Sequence, residues 1–192
     1  MKKRTKIIIL ILISIPILYI GFIGTIYLFI QNKWEDKISK EQYNSVITEM
    51  KSTPKLPQQL YDNYEIVKGY NEYNTTLGII ANLPWSFAST SCACSDVSYG
   101  IVLSTYDKWS LGIKLDRDVT PKKCLDFYLN HLDFSNNIIG VQNASSFYFK
   151  KKLSNLTSDE YLKLIILTTN PSFYNPLVRP DKLEEKLKKY KQ

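Results

Sequence analysis

The chain has 192 residues, which suits one domain with attachments, and its formal net charge at pH 7 is +7. The cations before the first apolar run and the lysine-rich tail from Lys182 onward account for this excess, so residues 7–181 are neutral overall. A nucleic-acid-binding protein is expected to carry a basic stripe within its folded part, and the neutral middle of this chain excludes that class of partner. The two basic ends fit a membrane surface better.

Residues 7–30 form an uninterrupted apolar run without a charged side chain. As a helix this run would be about 36 Å long, and the hydrocarbon core of a bilayer is about 30 Å thick. Pro16, Gly21 and Gly24 are tolerated in membrane helices, and the run lacks the short apolar core and cleavage site of a signal peptide. The sequence therefore predicts one transmembrane helix over residues 7–30 in a lipid bilayer.

The charges on either side of this run indicate its orientation. Residues 1–6 form a basic stub, whereas the lysines after the run are interleaved with acidic residues. The positive-inside rule then places the N-terminus in the cytoplasm and the main domain outside the plasma membrane, in a single-pass protein. Tyr27 and Trp34 are expected at the far membrane interface, where aromatic side chains are enriched.

The rest of the chain is predicted to be a helix with its linker, followed by one domain. Residues 31–55 predict a polar juxtamembrane helix with a sparse apolar face at Ile38, Val46 and Ile47, and a linker broken by prolines. Residues 56–192 form the predicted domain. Its first part, before residue 107, has no sustained hydrophobic period and predicts short helices and loops.

The signals for helices are clearest after residue 119. Thr120 caps a helix that opens with a proline, and Thr157 with Glu160 forms a capping box at the start of another. A further helix is predicted over residues 141–149. The last predicted helix turns its leucines inward and has two outward i,i+4 ion pairs, Glu184 with Lys188 and Glu185 with Lys189. Because no alternating strand pattern occurs, the predicted fold class is mainly α.

Three cysteines lie in the part of the chain that is predicted to be extracytoplasmic: Cys92, Cys94 and Cys124. Free cysteines are among the most buried residues, so the favoured interpretation is that all three are small packing residues. A disulfide that involves Cys124 is the alternative, because the compartment can be oxidising. Two cysteines one residue apart, with one histidine in the whole chain, do not make a zinc pattern, and no metal site is predicted.

The run from Thr120 to Pro180 resembles the C-terminal half of the bacterial peptidoglycan glycosyltransferases, glycosyltransferase family 51. These are the transglycosylase domains of class A penicillin-binding proteins and of monofunctional transglycosylases. The family motifs are I-L-x-x-Y-L-N, F-G-x-G-x-x-G-V, A-A-x-x-Y-F-x-K, L-(S/T)-x-x-E and P-x-x-Y-N-P. The principal matching residues here are Tyr128, Leu129, Asn130, Gly140, Tyr148, Phe149, Glu160, Pro171, Tyr174, Asn175 and Pro176. The resemblance implies a lysozyme-like helical domain behind the transmembrane helix.

The resemblance also implies a chemistry, and the first half of the chain departs from it. The family uses a glutamate in E-D-x-x-F-x-x-H as general base, a second glutamate in R-K-x-x-E, and often a divalent cation such as Mg²⁺ beside the pyrophosphate of the lipid-linked donor. Here the family spacing from Leu56-Pro57 leads to Lys68, and Lys108 stands where the second glutamate belongs. Leu115-Asp116 occupies the L-E position that follows.

The candidate site residues are therefore chosen by their position in the sequence alone. Glu72 is the first candidate for a catalytic base and Glu65 is the next, although a solvated carboxylate on a loop is the simpler interpretation of Glu72. Ser89 and Thr90, in what remains of the family's G-G-S-T-I-x-Q-Q motif, are the candidate substrate-binding residues. His131 lies in the Y-L-N helix and is expected at the surface. No cofactor is predicted beyond the cation that the resemblance implies.

Two functions follow from this combination of motifs. Intact packing motifs beside missing chemical ones favour a catalytically inactive relative that binds glycan strands, the lipid-linked precursor or other proteins of cell-wall synthesis. The alternative is an active peptidoglycan glycosyltransferase that polymerises the lipid-linked disaccharide-peptide with divergent catalytic residues.

Overall fold

The computed structural model describes residues 3–70, 74–82, 92–101 and 105–191. This part of the chain is helical and contains no β-strand, which confirms the mainly-α prediction. Two short 3₁₀ turns, Lys33–Asp36 and Leu153–Asn155, accompany the helices. The α-helices are α1 Lys3–Ile30, α2 Lys40–Ser52, α3 Gln58–Lys68, α4 Thr76–Asn82, α5 Ala93–Ile101, α6 Thr105–Asp118, α7 Pro121–His131, α8 Val141–Phe149, α9 Ser158–Leu167 and α10 Pro180–Tyr190.

The helices of the second half start where their caps predict. The Thr120 hydroxyl accepts a hydrogen bond from the backbone N–H of Lys123 at the start of α7. The predicted capping box of Thr157 and Glu160 opens α9, with both reciprocal hydrogen bonds present. Each cap satisfies donors that the first turn of a helix leaves unpaired. Local sequence alone therefore determined where these helices begin.

Gly140 joins α7 to α8 at a point where the backbone leaves no room for a side chain. Its φ is +82°, and a Cβ atom at this position would lie 2.5 Å from the backbone oxygen of Asn130. Both the left-handed backbone and the close approach require glycine. The family glycine and the asparagine of the Y-L-N motif are thus one structural unit.

The retained family residues of α7 and α8 pack in the same core. Leu129 is fully buried, Tyr148 is nearly so, and Tyr128 and Phe149 pack against them as partly buried neighbours. The Tyr148 hydroxyl donates to the backbone oxygen of Phe134 at 2.7 Å, which ties α8 to the loop after α7. This arrangement agrees with the family motifs that these two helices carry.

The proline-rich segment between α9 and α10 is a set of turns organised by Asn175. This side chain is buried, its Oδ1 accepts from the N–H of Leu177, and its backbone oxygen accepts from Val178 and Arg179. The turns direct α10 back onto α9, where Leu183 packs. The ion pairs expected within α10 were wrong, because its glutamates reach other partners: Glu184 pairs with Lys163 and Glu185 with Lys182.

Helix α1 is, within the described residues, the one helix long and apolar enough to cross a membrane. Its length and apolar composition support a membrane-anchored protein. Its last turn, however, is covered by protein: Ile30 is 1 % exposed and packs with Ile80 of α4 and Ile113 of α6. The anchor therefore ends inside the folded domain.

The segment after the anchor also belongs to the core. Trp34 was expected at the membrane interface, and that prediction was wrong: its side chain is buried beside Tyr43, and its backbone N–H donates to the Ser110 hydroxyl at 2.8 Å. Tyr43, Ile47 and Met50 of α2 are buried in the same cluster. The apolar face of α2 is therefore wider than its sequence indicated, because two of its buried residues, Tyr43 and Met50, were not recognised.

A disulfide joins Cys94 of α5 to Cys124 of α7, and Cys92 is a buried free thiol. The packing interpretation was therefore wrong for two of the three cysteines, and the disulfide alternative was right. The reason is tertiary: the crossing of α5 and α7 brings the two Cα atoms to 5.0 Å, a separation that suits a disulfide. No spacing in the sequence encodes this crossing.

The disulfide predicts one free thiol per chain. Alkylation of the denatured, unreduced protein should label Cys92 alone, as read by peptide mass spectrometry. Reduction should lower the free energy of unfolding by about 3–4 kcal/mol, because the bond closes a loop with a sequence separation of 30. Labelling of all three cysteines before reduction would contradict the pairing.

The core position of Leu129 predicts the effect of truncating it. Leu129→Ala removes a fully buried side chain and should lower the free energy of unfolding by about 2–5 kcal/mol, measured by denaturant titration in detergent. The matched control is Leu177→Ala, because Leu177 is 60 % exposed and its loss should change stability little. Equal effects of the two substitutions would contradict this placement of α7.

Candidate functional site

Three segments of the chain converge at a group of tyrosines around one carboxylate. The Tyr64 hydroxyl donates to Asp96 Oδ2 at 2.9 Å, and the Tyr64 ring lies 5.6 Å from Tyr70 and 6.3 Å from Tyr128. Burial, with the nearby charge of Asp96, raises the pKa of Tyr128 above its ordinary value. We call Tyr64, Tyr70, Asp96 and Tyr128 the tyrosine–Asp96 cluster. It joins the end of α3 to α5 and α7.

Helix α3 is fixed in place by a buried carboxylate of α7. Asp126 is 2 % exposed, and its Oδ1 accepts from the Tyr61 hydroxyl and from the backbone N–H of Leu56 at 3.1 Å. Burying a carboxylate without hydrogen-bond donors is strongly destabilising. The burial of Asp126 therefore depends on the donors Tyr61 and Leu56. This contact sets the position of Tyr64, one helical turn further along α3.

A cavity of about 240 Å³ opens between α5 and α7 beside the cluster. Its walls are mostly apolar, with two carboxylates and an imidazole among the lining residues. A small cavity with apolar walls and a few polar groups is the usual form of a ligand site. The lining residues are Asp96, Val97, Gly100, Ile101, Phe127, Tyr128, His131, Leu132 and Asp133.

The sequence-predicted site residues Glu72, Ser89 and Thr90 lie outside the described residues. Glu72 follows Tyr70 of the cluster by two positions, and Ser89 and Thr90 shortly precede Cys92 at the start of α5. Their positions therefore stay predictions. The structure does describe a residue next to each of these segments, Tyr70 in one case and Cys92 in the other. Both residues are buried in the same core.

Two other sequence candidates have defined positions. Glu65 is exposed on α3, and Lys68 ends this helix, followed by Gly69 in the left-handed conformation. His131 is exposed, as expected, with its Nε2 2.9 Å from a carboxylate oxygen of Glu49 and its ring stacked on Phe127. Neither Glu65 nor His131 contacts the tyrosine–Asp96 cluster through any described interaction.

Asp116, at the family's L-E position, is held in a polar contact between three helices. Its Oδ2 accepts from the backbone N–H of Thr76 at 2.6 Å, and its Oδ1 lies 3.7 Å from the Cys92 sulfur. Burial raises the pKa of Asp116, and burial together with the Asp116 charge raises the pKa of Cys92 to about 11. A thiol with so high a pKa is a poor nucleophile at neutral pH. This contact therefore serves the packing of α4, α5 and α6.

Sequence reasoning missed this contact between Thr76, Cys92 and Asp116. The available signals were the L-D in place of L-E and a cysteine directly after the Ser-Thr-Ser run. Neither signal indicates that α4 would bring the backbone of Thr76 to the carboxylate. The contact is tight: a Cβ atom on Gly112 of α6 would lie 2.6 Å from the Thr76 hydroxyl.

The described residues do not fit the divalent cation that the family resemblance implies. Within residues 3–70, 74–82, 92–101 and 105–191, no group of three or more histidine, cysteine or carboxylate side chains could hold a metal ion. Asp96 accepts from Tyr64, and Asp116 accepts from Thr76. Hard divalent cations need several free oxygen ligands together, which these two carboxylates do not supply.

The other retained motif residues stabilise the fold. Lys151 Nζ donates to both carboxylate oxygens of Glu160, at 2.7 and 2.9 Å, which links the A-A-x-x-Y-F-x-K and L-(S/T)-x-x-E motifs. The Asn130 amide donates to the backbone oxygen of Asp126. Asn175 organises the turns around Pro171, Tyr174 and Pro176. The motif residues thus build the scaffold, and none of them lies at the tyrosine–Asp96 cluster except Tyr128.

Comparison with known proteins finds a family model and several relatives that match the part of the chain that carries these motifs. The family model described as "Transglycosylase" matches residues 103–191. The chain is similar to Penicillin-binding protein 1F of Bacillus subtilis (40% identical over 76 residues, 40% of this chain and 11% of the relative). It is similar to the Biosynthetic peptidoglycan transglycosylase of Haemophilus influenzae (43% over 55 residues, 29% and 23%) and to Penicillin-binding protein 1A of Aquifex aeolicus (35% over 72 residues, 38% and 10%). The matches thus span between about a tenth and a quarter of these relatives.

The raised pKa of Asp116 predicts a pH dependence of stability. Because the folded state holds this carboxyl above its ordinary pKa of 3.8, the unfolded state loses the proton first as pH rises. Stability should therefore fall as pH rises from below 4 through the folded pKa, by about 1.4 kcal/mol for each tenfold difference between the acid dissociation constants of the unfolded and folded states. Asp116→Asn should remove this component, so the difference in unfolding free energy between the two proteins should change with pH. A difference that is constant from pH 3 to 7 would contradict the assignment.

Proposed function

Because residues 103–191 of this chain belong to the transglycosylase family, we propose that the protein acts in bacterial peptidoglycan synthesis as a membrane-anchored binding module. In this role it binds the lipid-linked disaccharide precursor or the glycan strand and does not polymerise it. Other proteins of cell-wall synthesis are the partners that such a module would bring to the glycan.

One observation carries this proposal. The family residues that this chain retains hold helices, turns and each other in place, as Lys151 with Glu160 and Gly140 with Asn130 do. Where the family has its two catalytic-site glutamates, the family spacing leads near Lys68 and to Lys108 in this chain. Selection for a fold without selection for its reaction would leave this pattern, since function resides in sites and not in folds.

The replaced positions also argue against transfer chemistry on physical grounds. A general base must accept a proton from the attacking sugar hydroxyl, whereas a lysine ammonium has three donors and no acceptor. Asp116 can accept, but its carboxylate already bonds the backbone N–H of Thr76. Losing such groups commonly lowers a rate by factors of about 10² to 10⁴ each.

The tyrosine–Asp96 cluster and its cavity support binding of a sugar. Aromatic rings offer flat apolar faces on which the C–H face of a sugar ring can pack, and a carboxylate accepts from sugar hydroxyls. The cavity between α5 and α7 adjoins the cluster, and in the sequence Glu72 follows Tyr70 of the cluster by two residues. We therefore place the glycan or precursor at this side of the domain.

Two observations support an extracytoplasmic domain with the N-terminus in the cytoplasm. The cations of residues 1–6 precede the anchor, which is the arrangement that the positive-inside rule describes. The disulfide between Cys94 and Cys124 requires an oxidising compartment, because thiols stay reduced in the cytosol of most cells. Both observations favour a domain on the outer side of the plasma membrane.

A chain-elongation assay on the full-length protein in detergent tests this function. The protein, its Glu72→Gln variant and the matched control Glu65→Gln are supplied with the lipid-linked disaccharide-peptide, and polymer is resolved by gel electrophoresis. Binding of the same lipid and of purified glycan strands is measured in parallel. We expect no polymer from any of the three proteins and saturable binding of lipid or glycan by the wild type.

The other outcomes separate the alternatives. Polymer from the wild type that vanishes in Glu72→Gln but persists in Glu65→Gln would make the protein an active glycosyltransferase with Glu72 as base. Polymer lost in Glu65→Gln instead would assign the base to Glu65. Absence of both polymer and binding would reject the binding module, and protein partners would then be the remaining role.

A further inference from the structure

Helix α6 runs antiparallel along the end of the anchor, and four contacts in sequence establish this. Residues further along α6 contact residues that come progressively earlier in the chain, from Lys37 back to Tyr27. The contacts are Lys37 Nζ with Asp107 Oδ2 at 3.7 Å, the Trp34 N–H with the Ser110 hydroxyl at 2.8 Å, Ile30 packed with Ile113, and the Arg117 guanidinium 5.3 Å from the centre of the Tyr27 ring. The C-terminal end of α6 therefore points toward the membrane.

The depth of Arg117 follows from the length of the anchor. A helix over residues 7–30 is about 36 Å long, roughly one turn more than a hydrocarbon core of about 30 Å. That last turn, from Tyr27 to Ile30, is the one that α4 and α6 cover on one side. On its other side Leu28 and Phe29 are 68% and 66% exposed. Arg117, which contacts Tyr27, thus lies at the level of the lipid headgroups.

Four lysines lie on α6 and on the neighbouring ends of α2 and α7; among them, Lys114 pairs with Asp118 and the Lys122 ammonium lies 5.7 Å from the centre of the Tyr61 ring. Lys123 of α7 donates to the backbone oxygen of Thr53 at 2.7 Å, which brings the end of α2 beside the start of α7. We call the resulting set the basic face; its members are Lys51, Lys114, Arg117, Lys122 and Lys123.

The acid among these cations is already engaged. Asp118 accepts from Lys114 at 2.5 Å and from the Tyr43 hydroxyl at 2.7 Å. Burial alone would raise the pKa of Asp118. These hydrogen bonds and the charges of Lys114 and Lys51 outweigh burial and hold this pKa below its ordinary value. Asp118 is therefore ionised and offsets one of the five positive charges, which leaves the basic face with a net positive charge.

We propose that the basic face is a docking surface for the headgroups of anionic phospholipids, in the leaflet where α1 leaves the bilayer. The guanidinium of Arg117 is suited to this depth, because its planar donors match phosphate oxygens and its stem can lie along apolar surface. Each cation near an anionic membrane favours association by about fivefold. The anchor supplies tethering, and the basic face fixes the orientation of the domain on the membrane.

This proposal rests on the membrane anchoring in the proposed function but not on glycan binding. With the domain docked, the cluster around Asp96 and its cavity keep a constant orientation relative to the bilayer, from which a lipid-linked substrate would be presented. Loss of the basic face should therefore leave glycan binding in detergent unchanged.

Hydrogen exchange of the full-length protein in lipid nanodiscs tests the docking. Backbone exchange of residues 49–55 and 114–123 is compared between discs of phosphatidylcholine and discs that also contain phosphatidylglycerol. We expect several-fold slower exchange of both segments in the anionic discs, and loss of the difference at high salt, because screening shortens the range of the attraction.

The variant Lys51→Gln, Arg117→Gln, Lys122→Gln should abolish this difference. The matched control removes the same charge from α10 through Lys182→Gln, Lys186→Gln and Lys189→Gln, and should keep it. The single variant Arg117→Gln, expected to reduce the difference, serves if the triple variant fails to fold. Equal exchange in neutral and anionic discs, an equal loss in the α10 control, or protection in neutral discs on adding inorganic pyrophosphate would each overturn the proposal.

Discussion

The disulfide between Cys94 and Cys124 is the constraint on which the candidate site depends. Helix α5 is flanked on both sides by segments without described structure, and the bond attaches its first turn to α7. That attachment brings Asp96, two residues after Cys94, to the hydroxyl of Tyr64. Without it, the divergent first half of the domain would keep fewer links to the half that carries the family motifs. The bond also ties the site to an oxidising compartment.

A second constraint couples the domain to its anchor. The last turn of α1 and the 3₁₀ turn after it pack along α6, so the transmembrane helix continues into the core of the domain. Helix α6 is also the first helix within the region that matches the family model. It carries Asp116 on one side and Arg117, which meets the anchor, next to it. One helix thus contributes both to the packing around Thr76 and to the contact with the anchor.

The family residues that this chain retains differ in their physical role from those that it replaces. Gly140, Asn130, Lys151 and Glu160 act on backbone or on each other, and their loss would leave close contacts or buried polar groups unsatisfied. The positions at Lys108 and Asp116 no longer hold the family's glutamates, and Asp116 now stabilises the junction with α4. The retained motif residues therefore account for the fold of this half of the domain.

The sequence by itself determined the features that depend on near neighbours along the chain. Caps at Thr120 and Thr157 and the long apolar run each act within a few residues, so the starts of α7 and α9 and the presence of the long apolar helix α1 could be predicted. What only the tertiary structure decided are contacts between distant segments: the Cys94–Cys124 bond, the burial of Trp34 and the placement of Asp116 beside Thr76. Each depends on how two helices cross, and a crossing is set by the sum of many packed side chains, which no local spacing encodes.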